Sequence, residues 1–181
     1  MSNDLNYDYT FKIMMIGDAS VGKTSLTVRY VSGTFMEDLK LTIGVDFYSK
    51  IIECKNQLVK LQIWDFGGEE RFRFLLSQYC KGADGCFFLY DITNKISFDH
   101  LPEWTKIIRE HAGNIPITLI GSKVDLDEFR MVPPEDGVTA AQKYNLDGFL
   151  ELSSKTGKKV NDAFIHITEI LLKKSAPNLF D

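Results

Sequence analysis

The chain has 181 residues, 44% of them hydrophobic, and no repeat or low-complexity tract, so one domain large enough to bury its own core accounts for it. Its formal net charge is −4, with 25 Asp and Glu against 21 Lys and Arg, which argues against a nucleic-acid surface because affinity for phosphate backbones comes from clustered cations. Cys54, Cys80 and Cys86 lack metal-ligand spacing and fit reduced thiols of a cytosolic protein, and no apolar run is long enough to cross a bilayer.

Residues 1–9 are polar and acidic, without the basic start and apolar stretch of a signal peptide, and are expected to be a flexible segment ahead of a domain over residues 10–174. A strand is predicted over residues 10–16 and a helix over 25–31. Strands over 45–54 and 58–65 follow, joined by Lys55-Asn56-Gln57, a link so short that the two must form an antiparallel hairpin. The apolar run at 85–91 fits a buried strand. Ser97 supplies a start signal for a helix to residue 110, with Leu101, Trp104, Ile107 and Ile108 on one face. A strand over 117–121, a helix opened by Pro133 and reaching residue 144, a strand over 149–152 and a helix carrying Val160, Phe164, Ile167 and Leu171 complete the series. Residues 175–181 form a short tail with no cysteine for prenylation, so no lipid anchor is expected from this chain. Short apolar runs alternating with amphipathic ones predict an α/β fold: a six-stranded, mostly parallel sheet with one antiparallel edge strand and helices on both faces.

Ligands of such sheets sit at the carboxyl ends of the strands. After the first strand come Gly17-Asp18-Ala19-Ser20-Val21-Gly22-Lys23-Thr24, which read G-x-x-x-x-G-K-T, the P-loop signature in its required context. The backbone of Ala19, Ser20, Val21, Gly22, Lys23, Thr24 and Ser25 would cradle a polyphosphate, helped by the positive end of the helix that follows. Lys23 would reach the outer oxygens and the Thr24 hydroxyl would ligate Mg²⁺. Asp65, at the end of the third strand, is placed to hold the same ion, and Gly67-Gly68 lets the backbone come close enough for the Gly68 N–H to bond the terminal phosphate.

Lys123-Val124-Asp125 follows the fifth strand. A carboxylate there accepts from N1–H and the 2-amino group of guanine, a donor pair that adenine lacks, while the Lys123 stem covers the purine face. Ser153, Ser154 and Lys155 would close the other side, with a backbone N–H to the guanine carbonyl.

The P-loop, Thr42-Ile43-Gly44-Val45-Asp46-Phe47, Lys60-Leu61-Gln62-Ile63-Trp64-Asp65, Glu70-Arg71-Phe72-Arg73, Tyr90-Asp91-Ile92-Thr93 and Glu151-Leu152-Ser153-Ser154-Lys155 resemble the Ras-like small GTPases, and most closely their Rab branch. The resemblance covers nearly the whole chain. It implies the P-loop GTPase fold with six strands and five helices, GTP and GDP as ligands with Mg²⁺, and a cycle between an active GTP form and an inactive GDP form. It also implies that Thr42 is the threonine that reaches Mg²⁺ only with GTP present, that Phe35 packs edge-on against guanine, and that Trp64 belongs to an exposed effector patch. Residues 43–47, from Ile43 to Phe47, and 69–79, from Glu69 to Tyr79, would be read by effectors, an exchange factor and a GTPase-activating protein. A monomer in the cytoplasm, peripheral to membranes through those partners, is the corresponding expectation. Trp104 is expected in the core, and His100, His111 and His166 show no catalytic or metal pattern.

Three places depart from that pattern; at one, Ala19 and Ser20 stand for small glycines of Ras-like loops, as similar residues do among Rab-like members. Glu69 stands where the family has the glutamine that orients the attacking water. An amide accepts from the water and donates to a phosphoryl oxygen at once, whereas a carboxylate only accepts. It also brings a negative charge whose repulsion with the γ-phosphate is on the order of 4 kcal/mol at a 4 Å separation and an effective dielectric near 20. With Lys23, Gly68 and Thr42 completing the catalytic set, slow hydrolysis is expected. Hydrolysis ended altogether, leaving a nucleotide-locked interaction module, is the alternative; a Glu69 that keeps a proton or acts as a base toward water would instead preserve turnover. Ser122 stands where the family has Asn. It carries one donor instead of two, so a contact to guanine N7 or to the P-loop is expected to be lost, with weaker binding and the guanine preference kept.

Overall fold

In β1, Tyr9–Ile16, Ile13 and Met15 face one side of the sheet and Met14 and Ile16 the other, and all four are fully buried. A strand apolar on both faces needs helices on both faces, which is how this chain folds. The computed structural model describes residues 7–180, apart from the side chain of Phe72; residues 1–6 and Asp181, and with them most of the expected flexible N-terminal segment, lie outside the described residues.

The remaining strands are β2 Val45–Cys54, β3 Gln57–Phe66, β4 Gly85–Asp91, β5 Ile117–Ser122 and β6 Gly148–Glu151, in the spatial order β2-β3-β1-β4-β5-β6. Only β2 runs antiparallel. It is joined to β3 by Lys55 and Asn56, both left-handed at φ 52° and 58°, and Gln57 already pairs with Cys54. Two successive left-handed residues match the twist of a hairpin, so the turn is one residue tighter than the three-residue link expected.

The helices are α1 Lys23–Ser32, α2 Leu76–Tyr79, α3 Lys95–Asp99, α4 Leu101–Ala112, α5 Pro134–Lys143 and α6 Val160–Ser175. α1 and α6 cover one face, where the Tyr30 and Phe164 rings stack at 3.6 Å over β1 and β4 residues. α4 and α5 cover the other with Leu101, Trp104, Ile108, Ala140 and Ala141. Each large side chain fully buried here contributes about 1.5–3 kcal/mol to the packing that holds the sheet under its helices.

The single helix expected over 97–110 is two, so six α-helical segments occur among the described residues instead of five. Pro102 has no N–H to offer the Phe98 carbonyl and its ring would strike it, so the helix breaks at His100. Asn94, not Ser97, caps the start, its Oδ1 accepting from the Ile96 N–H at 3.1 Å. Ser97 is fully buried and accepts from the Asp91 N–H at 3.0 Å, tying the helix to the end of β4. At the termini, Asp8 exchanges hydrogen bonds of 2.7 and 2.8 Å with Leu58, and Leu179 and Phe180 fold back onto the α1–α6 face.

Candidate functional site

Strand order reverses at β1, with β3 on one side and β4 on the other, so the loops leaving their carboxyl ends part and open a crevice. Gly17 makes the first turn into it at φ 138°, so close to the Leu89 backbone that a side chain could not be fitted. The crevice is a cleft of about 300 Å³ floored by Ala19, Ser20, Gly22, Lys23, Thr24 and Ser25, walled by Phe35 and Thr42, and closed at its far end by Gly68 and Glu69. A second hollow of about 290 Å³ continues from it past Gly22, Phe35 and Lys123 to Ser122, Asp125, Ser154 and Lys155. Val21 and Ser153, both read as contacts from the sequence, line neither hollow: each is buried behind the wall.

In the first hollow Lys23 is 6% exposed, and its Nζ donates to the carbonyls of Gly17 at 2.9 Å and Asp18 at 2.6 Å. Burial lowers its pKa to about 8, against the pull of Asp65 and Asp18. A cation held dry with only carbonyl partners is poised for an anion. Asp65 is fully buried at the end of β3; the Thr24 hydroxyl donates to its Oδ2 at 2.5 Å, and Thr42 Oγ1 lies 3.3 Å from the same oxygen and 2.8 Å from Thr24 Oγ1. Burial raises the Asp65 pKa, opposed chiefly by the Thr24 hydrogen bond and the Lys23 charge. Asp65 Oδ1 is buried without a hydrogen-bond partner. Two hydroxyls and a carboxylate with an unused oxygen form an all-oxygen donor set, which suits a hard divalent cation such as Mg²⁺.

The segments flanking the first hollow are stitched together. The Gly67 N–H donates to the Gly44 carbonyl at 2.8 Å, and Gly68 lies so tightly on Asp18 and Ala19 that a Cβ on it would sit 2.5 Å from the Asp18 carbonyl oxygen. Only glycine allows that approach. Glu69, at the rim, is held by Arg71 in a two-pronged ion pair, Nε to Oε2 at 2.6 Å and Nη2 to Oε1 at 3.3 Å.

In the second hollow, Asp125 accepts at Oδ1 from the fully buried Ser153 hydroxyl at 2.5 Å, so Ser153 aims the carboxylate instead of touching a base. The loop carrying Asp125 is pinned by Arg130, which pairs with both oxygens of Glu151 at 2.6 and 3.0 Å and with Asp127 at 2.7 Å. Lys123 Nζ donates to Ser20 O at 2.8 Å and pairs with Asp91 at 2.7 Å, which lays its stem across the floor between the hollows. Lys155 meets Glu37 at 3.6 Å across the mouth. Ser122 keeps its tie to the P-loop, donating to Val21 O at 2.6 Å with Tyr90 O at 2.8 Å.

Several contributors escaped the sequence. Trp104 is core, as expected, yet its indole N–H donates to Asp18 Oδ1 at 2.8 Å, and His100 Nδ1 lies 2.6 Å from Asp18 Oδ2. Both brace the P-loop residue whose carbonyl holds Lys23. They come from 82 and 86 residues away, and a helix predicted as unbroken hid the bend that aims them. Asp91 was readable, because it ends a strand on the same edge as the other site residues. Trp64 is half-buried, with Phe47 edge-on at 4.6 Å, Tyr79 at 5.6 Å and Lys12 Nζ 3.5 Å above its ring.

The family model described as the Ras family matches residues 12–173. Ras-related protein Rab-1 of Theileria parva is 44% identical over 170 residues, covering 93% of this chain and 77% of that protein. Ras-related protein RABA4d of Arabidopsis thaliana is 45% identical over 173 residues, 93% and 78% of the two chains. Ras-related protein Rab-19 of Homo sapiens is 39% identical over 178 residues, 98% and 82%.

Proposed function

The chain belongs to the Ras family of small GTPases, on its Rab branch, and on that basis we propose that it is a guanine-nucleotide switch that binds GTP or GDP with Mg²⁺, hydrolyses GTP slowly, and recruits effectors in membrane traffic or signalling while GTP is bound. The observation that carries this reading is Thr42. It comes from the loop before β2, yet its hydroxyl stands 2.8 Å from that of Thr24 and beside Asp65, so one segment of the surface is fastened directly to the floor of the site. A ligand that engages or releases Thr42 thereby changes the surface that partners meet.

Thr24, Thr42 and Asp65 would hold Mg²⁺, which neutralises charge on the β- and γ-phosphates when bound. Lys23 and the P-loop N–H groups bind the phosphates; the Gly68 N–H is the candidate donor to the outermost one. Asp125, aimed by Ser153, selects guanine, with Phe35 beside the base and Lys123 and Lys155 over its faces. Ile43, Phe47 and Phe74 are 79, 58 and 64% exposed along residues 43–47 and 69–79, which supports those segments as the surface for effectors, exchange factor and GTPase-activating protein. Among the described residues no helix is long and apolar enough to cross a membrane, and a cytoplasmic monomer that meets membranes through partners fits the reading.

Glu69 sets the rate. As a carboxylate it accepts from water but donates nothing to the phosphoryl group, and Arg71 already occupies both of its oxygens. That ion pair also favours the alternative, a nucleotide-locked interaction module, since it engages the carboxylate that the reading assigns to the attacking water. Single-turnover GTP hydrolysis by the wild type and by Glu69→Gln separates the two. A slow but measurable rate that the substitution raises supports the switch; no GDP from the wild type, with or without cell extract, supports the locked module; an unchanged rate in the variant removes Glu69 from the mechanism.

A further inference from the structure

We infer that this chain reads guanine without a hydrogen bond to N7, because the Ser122 hydroxyl, the side chain placed to make one, has its only proton committed to the protein backbone. The inference rests on the guanine reading above and sharpens it. Ser122 ends β5, is 2% exposed, and still contributes to the wall of the base hollow. Its Oγ lies 2.6 Å from the Val21 carbonyl and 2.8 Å from the Tyr90 carbonyl. Carbonyls accept only, so both contacts draw on the same proton, and none remains for a third acceptor.

The position of N7 follows from the rest of the pocket. A guanine whose N1–H and 2-amino group meet Asp125 sends its ribose from N9 toward the P-loop. N7 lies in that same five-membered ring, on the edge turned away from the 2-amino group, and so faces the junction of β5 with the P-loop, where Ser122 touches Val21. Lys123 keeps one N–H beyond Ser20 O and Asp91, but those two partners hold its ammonium on the floor between the hollows, under the ring face that its stem covers and not at the N7 edge. The N7 lone pair therefore meets oxygen lone pairs on Ser122, an arrangement that gains nothing over water. Asn at this position would have a second N–H to spare after donating to Val21. Serine keeps the structural tie and gives up the reading of that edge.

The test is competition against a fluorescent GDP by GDP, 7-deaza-GDP and ADP, with the whole chain and Mg²⁺ present. The wild type is expected to bind GDP and 7-deaza-GDP within about twofold of each other and ADP far more weakly. Ser122→Asn is expected to favour GDP over 7-deaza-GDP by about fivefold or more, the worth of one ordinary hydrogen bond. Ser122→Ala is expected to weaken both alike, because it loses only the tie to Val21. A wild-type preference for GDP over 7-deaza-GDP of tenfold overturns the inference while leaving the guanine reading intact. ADP binding as tightly as GDP overturns the guanine reading and the inference with it. Should Ser122→Asn not fold, the wild-type ratio and the alanine variant decide.

Discussion

Gly68 is the position where one added methyl group should separate the two nucleotide states. A Cβ there lies 2.5 Å from the Asp18 carbonyl oxygen, and closer still to the Asp18 carbonyl carbon and the Ala19 nitrogen. Unstrained contacts of carbon need about 3.5 Å, so Gly68→Ala must open the gap by about 1 Å. The P-loop backbone is anchored between β1 and α1, whereas the chain after β3 enters a short 3₁₀ turn, Glu70–Leu75, with an exposed Phe74, so the latter gives way. A Gly68 N–H moved by that distance no longer reaches the outermost phosphate. Losing a hydrogen bond to a charged group costs about 1.5–3 kcal/mol, which is about 10- to 150-fold in affinity. GDP ends one phosphate short and should keep its affinity within about threefold. Competition of a fluorescent GDP by GDP and by a non-hydrolysable GTP analogue, wild type against Gly68→Ala at fixed Mg²⁺, measures both. Equal losses for the two nucleotides would mean that the methyl deforms the P-loop itself, and no loss for either would remove Gly68 from the phosphate site.

Burial holds Lys23 at about 8 instead of 10.5, so between those values this group is more protonated in the unfolded chain than in the folded one, and its own contribution to the stability of the nucleotide-free protein should rise by about 3 kcal/mol at most as pH rises through that window. Burial also raises the Cys54, Cys80 and Cys86 thiols, whose contribution to stability falls toward high pH, so the readout is the difference in urea midpoint between wild type and Lys23→Met from about pH 7.5 to pH 10.5, which should shift in favour of the wild type as pH rises; a difference that stays constant would assign the titration elsewhere. Gly137 in α5 faces the Phe149 ring so closely that an added Cβ would overlap it. Gly137→Ala should cost about 1–3 kcal/mol in urea unfolding and leave GDP affinity unchanged, because that helix face is remote from the cleft; a loss of GDP affinity without a loss of stability would contradict this.

The parts of the site that lie next to one another in the chain are legible from the residues alone. The P-loop carries its own context in eight residues, and Asp65, Asp125 and Lys155 stand out because each follows a strand whose apolar run is plain. What goes unread depends on approach from far along the chain: His100 and Trp104 reaching Asp18, and Glu37 meeting Lys155. Ser153 is expected in the pocket because its neighbours are there, but whether a serine faces a ligand or braces a carboxylate depends on which way the chain turns after β6.

The order of strands and helices, the phosphate loop and the type of base expected are all written in the residues. They rest on local periodicity and on residue chemistry at fixed spacing, which survive without knowledge of the fold. Folding in three dimensions is what brings Thr42 to Thr24 and Asp65, carries Trp104 and His100 to Asp18, and commits the single proton of Ser122 to backbone. Each of these is a question of distance between atoms brought together only when the two faces of the sheet are buried, and a hydrogen bond is decided by a few tenths of an ångström that no spacing in the chain encodes.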